Sequence, residues 1–312
     1  MPLDNITHSL VGWALAEAGL KRRTRFGTAP LVLAANLPDI DVLFGWVPWE
    51  PLATHRGFTH GLIGGVLVLP PLLALSLWVW GKRRPAPADA PPLHLGWLLV
   101  MTWIAALTHP LLDLQNIYAV QLLSPFSERW FHTDGLFIIS PWLLAILGFG
   151  IWLARRRGSG VPAVTALAAG LAFIGLNVAI SAQAWRAPSL DAPYAHPDRV
   201  FASPEPLAFW RRDVVWRQND AITFGSYDPL KRLTGLTEYG KPVADNMTDP
   251  RAIAASPQTT QARNFLAWSQ LPMARIEADY RCADVTFGDA RFTGPALSRN
   301  FSVHVLHCRI EY

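Results

Sequence analysis

The feature that most constrains this chain is a set of long apolar runs in its first 185 residues. Four of these runs reach the roughly 20 helical residues that a bilayer's hydrocarbon core requires. They cover residues 61–80, 95–113, 136–154 and 161–183. The sequence therefore predicts an α-helical integral membrane domain with four firm spans. The charged fraction of 16% agrees, because soluble proteins carry about a quarter of charged residues.

Two earlier apolar segments, residues 6–20 and 29–47, are shorter or are interrupted by polar residues. Irregular backbone at membrane depth is tolerated only where protein covers it or where it lines a cavity. We therefore expect two shorter or broken helices that line a cavity at the N-terminal end of the membrane domain.

Residues 186–312 differ in composition, with scattered charged residues and with alternating or aromatic-rich segments that are typical of strands. The predicted strands cover residues 213–216, 221–227, 275–280 and 301–310. Two domains are expected: a helical membrane domain over residues 1–185 and a small β-rich soluble domain over residues 186–312.

The two cysteines, Cys282 and Cys308, lie in strand-like segments of the second domain, residues 275–283 and 301–310. We predict a disulfide between them, with Cα atoms about 4.4 to 6.8 Å apart, if the two strands are neighbours. Closing this loop would stabilise the domain by about 3 kcal/mol. The alternative is two separate packed thiols, and a bridge also requires an oxidising compartment.

Clusters of Lys and Arg predict the orientation of the spans, because short loops rich in these residues stay in the cytoplasm. The clusters lie at residues 21–25, 82–84 and 155–157. Threading the spans through them places residues 48–60, residues 114–135 and everything after about residue 184 on the opposite face, which in a bacterial inner membrane is the periplasm. The basic residues flank apolar runs, so no nucleic-acid partner is expected despite the net charge of +4.

Histidine and aspartate residues recur where the apolar segments meet the predicted periplasmic face. Ionisable side chains at membrane depth are costly, and by default they indicate a functional site. The candidates are His8, Asp39, Asp41, His55, His60, His109, Asp113 and Asp134. Because the orientation was fixed from Lys and Arg alone, this convergence on one face supports a common site.

His109 and Asp113 are four residues apart and therefore project from one face of a helix. Histidine and carboxylate ligands suit Zn²⁺ or another divalent transition metal, and we expect one or two such ions, with zinc favoured. The competing interpretation of this pair is a buried hydrogen bond that fixes helix register. Asp39 and Asp41, which follow Pro38, could alternatively cap a helix.

Four motifs carry a family resemblance: DNITH at 4–8, NLPDID at 36–41, HRGFTH at 55–60 and HPLLD at 109–113. In this order they resemble the YdjM-like family of inner-membrane metal-dependent hydrolases, over about the first 180 residues. That family is distantly similar to the zinc-dependent phospholipase C and single-strand nuclease superfamily.

The resemblance implies a main metal site formed by His60, His109, Asp113 and one of Asp39 or Asp41. It places His8 near a second ion shared through Asp113. His55 is a weaker alternative to His60 as a ligand.

A site of this kind implies hydrolysis of a phosphodiester or phospholipid, with a membrane lipid as substrate. The metal would supply hydroxide, and Asp39, Asp41 or Asp134 would act as general base or orient the water. The rival interpretation is a transporter or metal-permeation protein that uses the same residues as its ion site. A pathway would also carry polar residues toward the cytoplasm, which the four apolar runs do not.

Overall fold

The computed structural model describes residues 5–43, 56–86, 88–191, 193–278, 282–293 and 301–308. The chain divides into two compact units, a helical one that reaches residue 179 and a β-rich one that begins at residue 180. The expected change from a helical first part to a β-rich second part is therefore confirmed.

The helical unit is built from helices of very different length. The α-helices are α1 (Asn5–Glu17), α2 (Ala29–Asn36), α3 (Leu69–Lys82), α4 (Leu95–Asp113), α5 (Pro141–Arg157) and α6 (Val161–Leu190), the last of which continues into the second unit. Among the described residues, three 3-10 helices, Leu20–Arg22, Leu37–Leu43 and Phe58–His60, and a π-helical segment, Leu62–Val68, complete it. The π-helical segment runs directly into α3.

Among the described residues, three helices are long and apolar enough to cross a membrane: Leu62–Lys82, Leu95–Asp113 and Val161–Leu190. The run at 136–154 forms α5, which has 17 residues and begins only at Pro141. Ser140 sets this start, because its hydroxyl accepts a hydrogen bond from the Leu143 amide at 3.4 Å and caps the helix. The fourth span therefore stays a prediction.

The two N-terminal helices are short, as expected. Helix α1 has 13 residues and α2 has 8, so each is too short to cross a hydrocarbon core of about 30 Å. Fully buried small residues, including Ala16, Ala34 and Ala105, lie in a cluster shared by α1, α2 and α4. Small side chains allow such helices to approach closely.

The basic clusters gather at one end of the helical unit. Arg25 donates hydrogen bonds to the carbonyl oxygens of Gly81 (3.0 Å) and Arg84 (3.1 Å), which joins the first cluster to the second. From the third cluster, Arg155 lies over the Trp13 ring at 5.5 Å. The histidine and aspartate motifs lie at the other ends of the same helices.

The described residues of the β-rich unit form two antiparallel sheets. The first has the order β1 (Arg199–Pro204), β2 (Arg212–Gln218), β3 (Ala221–Tyr227) and β4 (Glu238–Tyr239), with β5 (Val243–Ala244) also paired to β3. The second has the order β6 (Pro272–Ala278), β7 (Cys282–Asp289) and β8 (Ser302–Cys308). Three short helices accompany them: α7 (Pro250–Ala255), α8 (Thr260–Trp268) and α9 (Ala290–Thr293).

The four predicted strands overlap β2, β3, β6 and β8, but β1, β7 and the two-residue strands β4 and β5 were missed. Strand β7 is buried along most of its length, so it lacks the alternation that marks a half-buried strand. Strand β1 lies in a proline-containing stretch that resembles a linker. Residues 279–280 and 309–310 of the predicted strands lie outside the described residues.

The predicted disulfide is confirmed. Cys282 and Cys308 are bonded, and they face each other directly across β7 and β8. Cys282 begins β7, whereas we expected it at the end of the preceding strand. Direct opposition on paired strands brings the Cα atoms to 4.0 Å, slightly closer than expected.

Candidate metal centre

Four buried side chains converge where the motifs meet: Asp39, His60, His109 and Asp113. Asp39 comes from the 3-10 helix that extends α2, and His60 ends the turn before the π-helical segment. His109 and Asp113 lie on successive turns of α4. One ligand atom from each lies within 4.8 Å of all the others. We refer to these four residues as the cage.

Five of the six edges of the cage are nearly equal in length. The two histidine Nε2 atoms are 3.1 Å apart. Asp39 Oδ1 lies 3.3 and 3.4 Å from the Nε2 atoms of His60 and His109, and Asp113 Oδ2 lies 3.2 and 3.3 Å from them. A tetrahedral ion with bonds of about 2.0 to 2.1 Å separates its ligand atoms by about 3.3 to 3.4 Å. The cage therefore has the size and donor atoms to hold a metal ion.

Each cage histidine is held through its other ring nitrogen. His109 Nδ1 lies 2.6 Å from the Ala35 carbonyl oxygen. His60 Nδ1 lies 3.3 Å from Asp41 Oδ2 and 3.1 Å from Thr59 Oγ1, and the Thr59 hydroxyl donates to Asp41 at 2.9 Å. Such outer contacts fix the ring so that Nε2 faces the metal position. The sequence left Asp39 and Asp41 as alternatives, and the structure brings Asp39 into the cage with Asp41 behind His60.

A buried arginine, Arg56, supports the fourth cage residue. Its side chain is 1% exposed, and Nη2 donates to Asp113 Oδ1 at 2.9 Å. Nη1 donates to Asn116 Oδ1 at 2.6 Å, and the guanidinium lies 4.8 Å from the Tyr118 ring centre. Sequence reasoning missed Arg56, although it stands inside the HRGFTH motif and at the end opposite the basic clusters.

His8 lies beside the cage. Its ring stacks on His109 with centroids 3.8 Å apart, and its Nε2 lies 3.5 Å from Asp113 Oδ1. The expected proximity of His8 to Asp113 is therefore present. Burial, followed by the charge of His109, lowers the pKa of His8 to about 4, so that its ring is neutral at pH 7.

A cavity of about 20 Å³ adjoins the cage, which is enough for a water molecule. His8, Arg56 and Asp113 line it together with apolar residues such as Leu112 and Leu136. Within the described part of the chain, two buried atoms of its lining, His8 Nδ1 and Arg56 Nε, have no hydrogen-bond partner. A small polar molecule in the cavity could satisfy both.

Asp134, a further predicted site residue, lies outside the cage. Asp134 is fully buried, but its carboxylate pairs with His132 Nδ1 at 2.8 Å, and it is not one of the four cage residues. His55 lies outside the described residues.

The cage attracts positive charge. Burial lowers the pKa of His60, but the carboxylates of Asp113, Asp39 and Asp41 outweigh burial and hold the pKa well above its ordinary value. Burial raises the pKa of Asp39, but the hydrogen bonds and charges of His109 and His60 lower it by more. The net result is a pKa below the usual range of aspartate. These opposing effects favour a cation, either a proton or a metal ion, between the carboxylates.

Apolar helices long enough to cross a bilayer, together with this cage, define a membrane protein that could bind a metal ion. Residues 3–184 match the model of the YdjM inner membrane protein family. This is more than half of the chain, and the protein therefore belongs to that family.

A similar protein is the uncharacterized YfhP of Bacillus subtilis (strain 168), with 29% identity over 126 residues. The match covers 40% of this chain and 34% of YfhP, so it spans about a third of that relative. No solved structure matches the chain.

Proposed function

We propose that this protein is a membrane-bound metal-dependent hydrolase that cleaves a phosphodiester or phospholipid at the periplasmic membrane interface. The observation that carries the proposal is the cage, which combines two imidazoles and two carboxylates, with five of the six distances between their donor atoms at 3.1 to 3.4 Å. Zinc is the favoured ion because Ca²⁺ takes 6–8 oxygen ligands at longer distances and Mg²⁺ demands an octahedron of about six. The cage accommodates one such ion.

When bound, such a metal acidifies a water molecule and polarises a phosphoryl oxygen. Four protein ligands would fill a tetrahedral coordination, so a reacting molecule needs a further position, and zinc sites can expand to five ligands. The cavity beside Asp113 is the place that the described residues leave for it.

His8 and Arg56 are the side chains that we assign to this cavity. The sequence favoured Asp39, Asp41 or Asp134 as general base, but Asp39 belongs to the cage and Asp41 holds His60. His8 Nδ1 accepts the proton of an attacking water held in this cavity, and the Arg56 Nε–H donates to the oxygen of the same water.

The depth of the cage supports a lipid substrate. His60 immediately precedes the span Leu62–Lys82, and Asp113 ends the span Leu95–Asp113. Both therefore lie at the level of the lipid headgroups, where the phosphodiester of a phospholipid is found. The basic clusters gather at the other end of the helices, which supports a periplasmic position for the cage.

The rival function, an ion pathway, receives less support. The ionisable residues within the three spans are Lys82, His109, Asp113 and Arg186, and each lies near the end of its span. A pathway requires polar groups along the length of the spans.

Metal analysis of the purified protein tests the site. We expect close to one divalent ion per chain in the wild type and its loss in His109→Ala. His94→Ala is the matched control, because His94 is exposed and lies at the opposite end of α4. Metal content that His109→Ala leaves unchanged would contradict the cage.

Hydrolysis is tested separately with a chromogenic phosphodiester and with phosphatidylglycerol vesicles. We expect turnover that depends on metal and is lost in both His109→Ala and His8→Ala. A metal-loaded protein that cleaves neither substrate would retain the metal site and overturn the hydrolase.

The orientation is tested by introducing single cysteines, since Cys282 and Cys308 are bonded to each other and do not react. Replacements at Lys82 and Arg156 should be labelled from the cytoplasm, and those at Glu128 and Asp228 from the periplasm. Labelling of position 228 from the cytoplasm would reverse the orientation.

A further inference from the structure

Helix α6 extends beyond the membrane. It covers 30 residues, Val161–Leu190, and Ser181 lies twenty residues after its start. At 1.5 Å per residue this distance is about 30 Å, which equals the hydrocarbon thickness of a bilayer. If α6 enters the membrane near Val161, Ser181 marks the level at which it leaves.

Strand β2 runs alongside the last turns of α6, from Ser181 toward the C-terminal end of the helix. Its first residue, Arg212, is fully buried, and its Nε donates to Ser181 Oγ at 2.8 Å. Its last residue, Gln218, donates to the carbonyl oxygen of Pro193, which follows the end of α6, at 3.0 Å. The start of β2 is therefore at the membrane level, and its end is farther out.

The antiparallel register places two connections at the same membrane-side end of this sheet. Pro204 at the end of β1 pairs with Arg212, and Tyr227 at the end of β3 also pairs with Arg212. The loop at 205–211 and the segment that follows Tyr227 therefore lie at the level of Ser181. The β2–β3 turn lies at the opposite end.

These two ends of the sheet differ in polarity. At the membrane-side end, Leu207 is 70% exposed and Leu230 is 77% exposed. An ion pair of Arg211 with Asp228, at 3.4 Å, joins the two connections. The far end is the turn Asn219–Asp220, which is polar. Moving an apolar side chain out of water is favourable. Leucines this exposed therefore favour contact with an apolar surface that covers them.

We propose that the connections at 205–211 and 228–231 form a membrane-contact surface that rests on the leaflet from which α6 emerges. Leu207 and Leu230 enter the headgroup region, and Trp210 contributes an aromatic ring of the kind enriched there. Lys231 is exposed beside Leu230, where its ammonium group can reach lipid phosphates. The argument uses α6 and the β-rich unit, so it does not depend on the hydrolase proposal.

Spin labels at single cysteines test this surface in proteoliposomes of the full chain. The test positions are Leu207→Cys and Leu230→Cys. The controls are Asn219→Cys at the far end of the same sheet and Leu306→Cys, a leucine that is 68% exposed on the other sheet. All four are surface positions, and retention of the native disulfide reports that each variant is folded.

We expect the ratio of collisions with lipid-soluble oxygen to collisions with a water-soluble nickel complex to be several-fold higher at positions 207 and 230 than at 219 and 306. Equal ratios at all four positions would overturn the proposal, because the connections would then face water. Protection of 207 and 230 from both reagents would also overturn it, because a protein partner would then cover them.

Discussion

The two units each bury carboxylates, but they neutralise them differently. In the β-rich unit, the Asp289 carboxylate receives two hydrogen bonds from the Arg291 guanidinium, at 2.9 and 2.8 Å, and both side chains are fully buried. In the helical unit, the cage holds the carboxylates of Asp39 and Asp113, and Arg56 donates to the outer oxygen of Asp113. The first cluster carries its own cation, whereas the second leaves a position for one.

The contrast shows when a buried acid indicates a ligand. Burial raises the pKa of Asp289, but the charge and hydrogen bonds of Arg291 lower it by more. The net result is a pKa below the usual range of aspartate. The guanidinium also lies between the rings of Phe201 and Phe292, at 5.1 and 4.8 Å. A fixed internal cation of this kind needs no metal. We therefore expect removal of the internal cation to destabilise one unit, and removal of an external cation to destabilise the other.

The largest effect is expected from Arg291→Met. This change leaves Asp289 buried without its partner, and breaking a buried ion pair costs about 3–5 kcal/mol. The free energy of opening of the β-rich unit, measured by hydrogen exchange with mass spectrometry, should fall by that amount. The matched control is Arg251→Met, because Arg251 pairs with Asp249 at the surface. Equal, small effects of both changes would show that the buried pair contributes little.

The same pair predicts an acid dependence. Because the pKa of Asp289 is lowered on folding, its contribution to stability is complete above about pH 4, the ordinary range of aspartate. It is lost as the pH falls through the lowered folded value. Arg291→Met should therefore reduce the acid dependence of the β-rich unit.

The next effect is that of metal removal. With free metal at a hundredfold excess over its Kd, binding stabilises the folded state by about 2.7 kcal/mol. A chelator should lower the opening free energy of the helical unit by about that amount and leave the β-rich unit unchanged. Equal losses in the two units, or none in either, would remove the distinction between them.

The smallest effect is expected from Asp41→Asn, which weakens the support of His60 without removing a cage residue. Loss of such an outer partner typically lowers metal affinity by about 10–100-fold. Competition with a chromogenic chelator measures this change. Asp134→Asn is the control, since Asp134 is a buried aspartate that pairs with His132, and it should leave the affinity unchanged. If both changes act equally, Asp41 has no special part in the cage.

The sequence predicted the composition of the cage more closely than its outer contacts. The four-residue spacing of His109 and Asp113 predicted that both side chains lie on the same face of a helix, because residues i and i+4 are one turn apart. The choice between Asp39 and Asp41 could not be made, since the 3-10 helix that carries them turns by a different angle per residue from an α-helix. Arg56 was missed because its role depends on contacts with Asp113 and Asn116, about sixty residues away in the chain.

The fold was also predicted in its main elements but not in the features that depend on local contacts or on burial. Apolar length indicated the spans Leu62–Lys82, Leu95–Asp113 and Val161–Leu190, since crossing a bilayer sets that length. It did not indicate where α5 begins, because a local hydrogen bond to Ser140 decides it. The alternation of apolar and polar residues likewise predicted half-buried strands. It did not predict β7, whose residues are buried on both faces.

The cage has a consequence for how the protein is made. Its residues are spread from Asp39 to Asp113, so it is incomplete until α4 has been synthesised and has entered the bilayer. Asp39 and His60 must therefore reach the membrane before their partners exist. A metal ion bound by the cage would therefore be acquired after insertion, from the ions of the compartment that the cage faces. A metal chaperone confined to the other side of the membrane could not load it.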